Sequence, residues 1–362
     1  MASPKKLLIV DDSAFMRKLI SDFFKEDDEI TVVGTARNGK DAIDKIAKLN
    51  PDVLTMDVEM PEMNGVEALK IIMEKTPKPV IMLSSMTTAG ASITIEAISL
   101  GAVDFVAKPS GTISLDLHKI QDELVRKVKA AIDVPITSLK RVAPTAVVIP
   151  HVEQPPFKTA KVLKARSWNS SSKKIVLIGT STGGPRALQD VLTAIPASIP
   201  APILIVQHMP AGFTKSLANR LNTLSEITVK EAEMGDILQN GVAYIAPGGK
   251  HMTVRKIGMT YSLYLDEALE QVGGHKPSVD VLFRSVAPFS ELSRVAVIMT
   301  GMGSDGTKGL QALKRVGNTI AIAEAQASCV VYGMPKSAVQ TNLVDEEITL
   351  NSIAQTIMKY VQ

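Results

Sequence analysis

The feature that most constrains the fold is a repeated alternation of short apolar runs with amphipathic stretches of helix length. In the first third of the chain, the runs occupy residues 7–10, 30–33, 53–56, 80–83 and 105–107. Buried parallel strands joined by helices produce this pattern. We therefore expect five strands and five helices that build a doubly wound parallel sheet, a (βα)5 arrangement within the α/β class.

The alternation is interrupted once, and the interruption divides the chain. Residues 135–172 contain five prolines and a serine-rich end with only scattered apolar residues, which is typical of a linker. The alternation resumes at residue 174 and continues to the end of the sequence. We predict one domain at residues 1–134, a linker at 135–172, and a second α/β domain with a mostly parallel sheet at 173–362.

Composition limits the classes of function. The only cysteine, Cys329, cannot form an internal disulfide, which favours a reducing, cytoplasmic location. No stretch approaches the roughly 18 uncharged apolar residues that a membrane span requires, so membrane insertion is not expected. The net charge is +3, and the linker alone holds six basic residues against one acidic residue. Because this positive excess lies outside both domains, nucleic-acid binding is not expected either.

Polar residues follow the apolar runs of the first domain. Asp11 and Asp12 follow the first run, Asp57 the third, Ser84 the fourth and Lys108 the fifth. In a parallel sheet all these positions fall at the carboxyl edge, where such sheets place their ligands. Three carboxylates there favour a hard cation such as Mg²⁺, and a lysine with a serine can hold phosphate oxygens.

The second domain begins with a strand, a glycine turn and a helix. The apolar run ending at residue 178 opens onto the sequence GTSTGGP at 179–185. Such a turn can cradle a phosphate with backbone N–H groups, or it can form a G-x-S-x-G elbow that exposes Ser181 as a nucleophile. The nucleotide-binding form is incomplete because the phosphate-loop lysine is missing.

A serine nucleophile needs a base, and the base needs an acid that orients it. His208 directly follows the apolar run 203–206, whereas His118 lies in the first domain and His151 in the linker. The remaining two histidines follow glycine-rich turns and are either substrate-side or structural; they are His251 and His275.

Asp305 follows another apolar run, 295–299, and a glycine-rich loop, and is either the orienting acid or a helix N-cap. The resulting order of serine, histidine and aspartate differs from that of α/β-hydrolases, so a different α/β fold is expected.

The first constellation resembles the receiver domain of two-component response regulators, over about residues 5–130. Residues 57–65, DVEMPEMNG, match the phosphorylation loop of that family closely. The resemblance implies that Asp57 accepts a phosphoryl group from a histidine kinase. It also implies a Mg²⁺ site and a set of phosphate-sensing residues: Asp11, Asp12, Asp57 and the Glu59 carbonyl for the metal, and Ser84, Lys108 and the shifting aromatic Phe105 for the phosphate.

The second constellation resembles the chemotaxis protein-glutamate methylesterases, the CheB family. The matching segments are residues 179–185, QHMP at 207–210, AYIAPGGKHM at 243–252 and MTGMGSDG at 299–306. The resemblance implies that Ser181 attacks, His208 transfers protons and Asp305 orients His208. It also places Thr182 at the active site and makes the Met302 N–H an oxyanion donor.

The CheB resemblance further implies a substrate and a mode of regulation. The substrate would be a γ-glutamyl methyl ester on the cytoplasmic helices of a chemoreceptor, whose hydrolysis releases methanol. Some members also deamidate glutamine. No cofactor is expected for the esterase reaction, and phosphorylation of the receiver would expose an active site that the receiver otherwise covers.

Two other functions compete with this interpretation. The loop at 179–184 could hold a nucleotide or a phosphorylated ligand, which would make the second domain a binding module. A transcriptional regulator is the third possibility and the weakest, because strands alternating with helices do not indicate a small helix-turn-helix domain.

Overall fold

The structure is a computed structural model that describes residues 3–108, 117–135 and 172–362, with residues 117–119 described by their backbone only. Nearly all of the predicted linker, 135–172, lies outside the described residues, as do the side chains of His118 and His151.

The N-terminal sheet has five parallel strands in the order β2-β1-β3-β4-β5, and helices cover it. Its elements are β1 (Lys5–Val10), α1 (Ala14–Phe23), β2 (Ile30–Ala36), α2 (Gly39–Leu49), β3 (Val53–Asp57), α3 (Gly65–Lys75), β4 (Val80–Ser84), α4 (Thr88–Ser99), β5 (Asp104–Ala107) and α5 (Leu117–Ile132). The predicted (βα)5 arrangement is confirmed, and each strand contains the apolar run that indicated it.

Side-chain caps fix where the first four helices begin. Ser13, Asn38, Asn64 and Thr87 each accept a hydrogen bond from a backbone N–H of the first turn. Asn64 also forms a capping box with Glu67. Because each cap closes the loop that leaves a strand's carboxyl end, the caps hold the polar residues of that edge in place.

The C-terminal sheet has seven strands in the order β14-β13-β12-β6-β7-β9-β8, and every neighbouring pair is parallel. A separate antiparallel hairpin, β10-β11, packs nearby. The elements are β6 (Lys174–Thr180), α6 (Gly184–Leu192), β7 (Ile203–Gln207), α7 (Phe213–Leu224), β8 (Thr228–Glu231), β9 (Val242–Ile245), β10 (His251–Ile257), β11 (Thr260–Asp266), α8 (Val279–Val286), β12 (Ser293–Ile298), α9 (Thr307–Val316), β13 (Thr319–Glu324), α10 (Met334–Val339), β14 (Glu346–Ile348) and α11 (Leu350–Val361).

This strand order positions the candidate site. β6 lies between β12 and β7 in the middle of the sheet, so the three loops at their carboxyl ends meet. The loops carry Ser181, His208 and Asp305. The predicted α/β fold with a mostly parallel sheet is confirmed.

The two sheets are joined by helix packing. Helix α4 of the N-terminal sheet packs against α7 and α6 of the C-terminal sheet, and the apolar core is continuous across this contact. Ser92 and Ser216 form a hydrogen bond of 3.3 Å, and Ser99 donates to Gln189 at the same distance. In the described part of the chain, no helix is long and apolar enough to cross a membrane.

Candidate active site

Ser181 lies on a tight turn that the glycines make possible. It is the first residue after β6, its N–H donates to the Thr300 carbonyl, and its carbonyl accepts from the N–H of Gly184. Gly183 has a φ of +78°, a conformation that favours glycine. A Cβ on Gly184 would lie 2.0 Å from the Gln207 side-chain oxygen and 2.5 Å from Thr180 Oγ1, so a larger residue would displace both side chains. The predicted strand, tight turn and helix are therefore present, and the role of Ser181 as a nucleophile stays a prediction.

His208 lies beside Ser181 because their strands are paired in register. Thr180 at the end of β6 pairs with Gln207 at the end of β7, which makes the next residue of each strand a neighbour of the other. The His208 backbone N–H donates to the Thr180 carbonyl at 3.2 Å. Its ring is buried, with Nε2 bound to Asp305 and with Nδ1 lacking any partner among the described residues.

Asp305 is held by an unusually complete set of donors. Its Oδ2 accepts from His208 Nε2 at 2.8 Å and from the Val279 N–H at 2.7 Å. Its Oδ1 accepts from Ser278 Oγ and from the N–H groups of Asp280 and Gly306, each at 2.9 Å. Burial alone would raise the pKa of Asp305, but these bonds and the His208 contact hold it at about 2. The group is therefore a carboxylate that accepts from His208.

Its alternative interpretation as a helix N-cap is wrong. Gly306 occupies the N-cap position of α9, and the α9 N-terminus receives no side-chain cap. The oxygens of Asp305 are instead directed to His208 and to the N-terminus of α8.

The loop after β12 lies directly against Ser181. A Cβ on Gly301 would come within 2.8 Å of the Ser181 Cβ, so glycine is required for the contact. The Gly301 carbonyl accepts from the N–H groups of Gly333 and Met334, which fixes the loop from its other side. Among the described residues, the Met302 N–H has no hydrogen-bond partner. This donor is one residue away from Gly301, which contacts Ser181, and its assignment as an oxyanion donor stays a prediction.

His251 and His275, the two histidines whose role the sequence leaves undecided, have different surroundings. The His251 ring is fully buried and its Nε2 lies 3.0 Å from the Glu270 carbonyl, which is a structural position. The His275 ring stacks on the His208 ring, with centroids 3.8 Å apart and 8° between planes.

The carboxyl edge of the N-terminal sheet forms a second polar site. Carboxylate oxygens of Asp11, Asp12 and Asp57 lie within 4.8 Å of one another. Lys108 Nζ lies 2.8 Å from Asp11 Oδ2 and 2.7 Å from Asp57 Oδ2. The carboxylates and their spacing suit a hard divalent cation, with phosphate oxygens as further ligands. Burial raises the pKa of Asp57 to about 6, and Lys108 opposes the rise.

Ser84 and Phe105 connect this edge to neighbouring elements. The buried Ser84 hydroxyl accepts a 2.7 Å hydrogen bond from Thr94 Oγ1 on α4. Phe105 contacts the C-terminal part of the chain. Its ring stacks on the ring of Phe213 of α7, with centroids 4.5 Å apart and 19° between planes. The Glu59 N–H donates to the Asp57 carboxylate. Binding of Mg²⁺ by the Glu59 carbonyl stays a prediction.

Comparisons with known proteins agree with both family resemblances. Residues 176–357 match the family model described as CheB methylesterase, and residues 7–118 match the response regulator receiver domain. A relative from Halalkalibacterium halodurans is 54% identical and one from Bacillus subtilis is 50% identical. Each alignment covers 99% of this chain and at least 98% of the relative. The chain belongs to the CheB methylesterase family.

Both relatives are named protein-glutamate methylesterase/protein-glutamine glutaminase. The crystal structure of the Thermotoga maritima CheB methylesterase catalytic domain, 43% identical, aligns with a TM-score of 0.50 over 52% of this chain and all of that domain. The protein is thus an enzyme, a CheB methylesterase with a response regulator receiver domain on its N-terminal side.

In this CheB-family chain the receiver lies against the active-site loops. Asp104 of β5 is buried near the Thr182 hydroxyl and lies 3.4 Å from Lys127 Nζ. Burial raises the pKa of Asp104, while Lys127 and Thr182 oppose the rise. Glu123 and Arg126 of α5 are close enough to His275 to influence its charge. The receiver face formed by β5, α4 and α5 therefore lies next to Thr182 and His275, close to the loop that carries Ser181.

Sequence reasoning missed several residues of this CheB site. Ser278 reads as a helix N-cap before α8, yet its hydroxyl donates to Asp305. Phe213 gave one signal, since it is an isolated aromatic in a chain with only 4% aromatic residues. Asp104 gave no signal, because a carboxylate at the start of a strand is common in turns.

Proposed function

We propose that this enzyme hydrolyses γ-glutamyl methyl esters on the cytoplasmic helices of chemoreceptors, releasing methanol and restoring glutamate. The observation that carries the proposal is the His208–Asp305 hydrogen bond at the end of the strand paired with that of Ser181. It supports a nucleophile, a base and an orienting acid in one place. The names of the relatives support the substrate class.

The proposed chemistry uses both nitrogens of His208. Nδ1 accepts the Ser181 proton as Oγ attacks the ester carbonyl, while Nε2–H continues to donate to the Asp305 carboxylate. The Met302 N–H stabilises the oxyanion of the tetrahedral intermediate, and Thr182 follows the nucleophile in the same loop. His208 then returns the proton to the methoxide, and methanol leaves an acyl-serine. A water molecule, deprotonated by His208, attacks that ester, and His208 returns the proton to Ser181 Oγ as the acyl–oxygen bond breaks and glutamate is released.

Glutamine deamidation is a second proposed reaction. The relatives carry protein-glutamine glutaminase in their names, and an amide forms the same tetrahedral intermediate as an ester. The leaving group is then ammonia, which His208 must protonate. The same three residues serve both reactions.

The receiver is proposed to control access to this site. Phosphorylation of Asp57 by a histidine kinase would favour an arrangement in which the β5-α4-α5 face no longer covers Ser181. The contacts across that face support the covered arrangement for the unphosphorylated enzyme. A phosphoryl group shifts this equilibrium only to the extent that it stabilises the open arrangement more than the closed one.

The receiver residues fit the Mg²⁺ that phosphorylation requires. Asp11, Asp12 and Asp57 would hold the ion together with the proposed Glu59 carbonyl, and the ion would neutralise charge on the transferring phosphoryl group. Lys108 already contacts two of these carboxylates and would pair with the phosphoryl oxygens. Ser84 would donate its hydroxyl to the same oxygens.

The first experiment measures methanol release from methyl-labelled chemoreceptor membranes, with Mg²⁺ and a small acyl phosphate as phosphodonor. The wild type should release methanol and Ser181→Ala should lose nearly all turnover. Asp57→Asn should retain only the basal rate. If Ser181→Ala were as active as the wild type, the loop would be an anion-binding site and not a nucleophile elbow.

A further inference from the structure

His275 is a conspicuous group that the proposed reaction does not use. Its ring lies face to face with the ring of His208, 3.8 Å between centroids and 8° from parallel. Among the described residues, the His275 ring makes no side-chain hydrogen bond, so its contact with the site is through its face.

A tight turn at residues 272–275 positions His275. Val272 and His275 exchange two backbone hydrogen bonds around Gly273 and Gly274, which have φ of +62° and +83°. Two residues of positive φ between a bonded pair form a tight hairpin turn that only glycine adopts easily. The turn therefore holds the His275 backbone rigidly beside His208.

The same segment also holds the acid. Ser278, Val279 and Asp280, three to five residues after His275, supply three of the donors to Asp305. The stacking ring and the acid are thus fixed by one short piece of chain. A shift of this segment would therefore move the His275 ring and the donors to Asp305 together.

His208 needs such a support. Its ring has a hydrogen bond at Nε2 alone, and Nδ1 is buried without a partner among the described residues. One hydrogen bond fixes a point on the ring and leaves rotation of the ring plane about the bond. A second planar group against the face removes that rotation.

We infer that His275 is a positioning residue, whose ring face keeps the His208 ring in the plane in which Nε2 bonds Asp305 and Nδ1 stays available for the proposed proton transfer from Ser181. The inference rests on the proposed roles of Ser181 and His208. It concerns the face of His275 and not its nitrogens, so an aromatic ring without nitrogens should replace it.

The charge of His275 suits this role. The pKa of His275 is lowered to about 4, mainly by burial and then by the charge of His208, with a smaller contribution from Arg126; Asp305 and Glu123 act in the opposite direction. His275 therefore stays neutral near pH 7 and does not oppose the positive charge that His208 acquires during the reaction.

Three substitutions in the full-length enzyme separate the face from the nitrogens. His275→Phe keeps a flat ring and removes the nitrogens, His275→Asn keeps a polar group and removes the ring, and His275→Ala removes both. Methanol release is measured under saturating phosphodonor and Mg²⁺, so that the receiver face near His275 does not affect the comparison. His251→Asn is the matched control, because it removes a buried histidine that does not contact His208.

We expect kcat to fall roughly 10- to 100-fold in His275→Ala and His275→Asn, with KM changed less than about 3-fold. His275→Phe should stay within about 3-fold of the wild type. The low-field proton resonance of the His208–Asp305 hydrogen bond should persist in His275→Phe and broaden in His275→Ala. His251→Asn should lower stability without lowering kcat.

Other outcomes would overturn the inference. Activity retained by His275→Asn and lost by His275→Phe would mean that a His275 nitrogen binds substrate. Loss of kcat that merely parallels loss of stability, in His275→Ala and His251→Asn alike, would mean a structural role. Full activity in Ser181→Ala would refute the proposed function instead, whereas an inactive Ser181→Ala with fully active His275 variants would refute only this inference.

Discussion

The stacked pair of Phe105 and Phe213 gives the sharpest test of receiver control. Phe105 belongs to β5 of the receiver and Phe213 begins α7 of the catalytic domain, and both rings are buried in the contact. Phe213→Leu keeps an apolar side chain of similar reach, so the catalytic domain should fold. It removes the ring pair, and with it a term that stabilises only the covered arrangement.

The size of the effect follows from the geometry. A stacked aromatic pair contributes about 0.5–1.5 kcal/mol beyond its buried area, which corresponds to a roughly 2- to 12-fold change in the closed-to-open ratio. While the open form is the minor one, its population rises by the same factor. We therefore expect methanol release without phosphodonor to rise roughly 2- to 12-fold in Phe213→Leu. The phosphorylated rate should not change, because in the proposed mechanism the phosphorylated form is already open.

The assay compares initial rates with and without the acyl phosphate, for the wild type, Phe213→Leu and Phe289→Leu. Phe289 is a suitable control because its ring packs edge-on against Tyr261 of the hairpin, 5.2 Å between centroids, within the catalytic domain. Its substitution removes a comparable aromatic pair without touching the receiver. An unchanged ratio of the two rates in Phe213→Leu, or an equal fall in both, would refute the reasoning.

Three further predictions test the rest of the assembly. Asp305→Asn should lower kcat by about 10³- to 10⁴-fold with little change in KM, because His208 loses the acceptor that sets its tautomer; steady-state methanol release checks this. Because burial raises the pKa of Asp57 to about 6, the free energy of unfolding without Mg²⁺ should fall by up to about 3 kcal/mol as pH rises from about 4 to 6. Denaturant titration should show that Asp57→Asn removes this fall. Thr94→Val removes the donor to Ser84 and should change the ratio of phosphorylated to basal activity by roughly 5-fold, with the rate of Asp57 phosphorylation unchanged.

Much of the fold and the position of each site follow from the sequence, for one physical reason. Parallel strands bring their carboxyl ends to one edge, so a polar residue directly after an apolar run can be placed without knowing any contact. Asp57, Lys108, Ser181 and His208 were all located in this way. The glycines around Ser181 strengthened the prediction, because close approach and positive φ restrict those positions.

What sequence reasoning could not supply depends on contacts between distant segments. Ser278 donates to Asp305 and His275 stacks on His208 because of how one loop packs. The apolar residues of that loop have no periodicity from which its packing could be predicted. The pairing of Phe105 with Phe213 depends on how two folded domains meet. The family resemblance assigned Phe105 a movement within the receiver, and the structure adds that its ring contacts the catalytic domain.

The receiver contacts converge on one helix of the catalytic domain. Ser84 is hydrogen-bonded to Thr94 of α4, and Ser92 of the same helix bonds Ser216 of α7. Phe105 stacks on Phe213 at the start of α7. Phe213 is only five residues after His208. A change at either Ser84 or Phe105 therefore acts on the same helix of the catalytic domain. Two linked contacts of this kind are lost together, so phosphorylation should release the receiver in one cooperative step and not by gradual loosening.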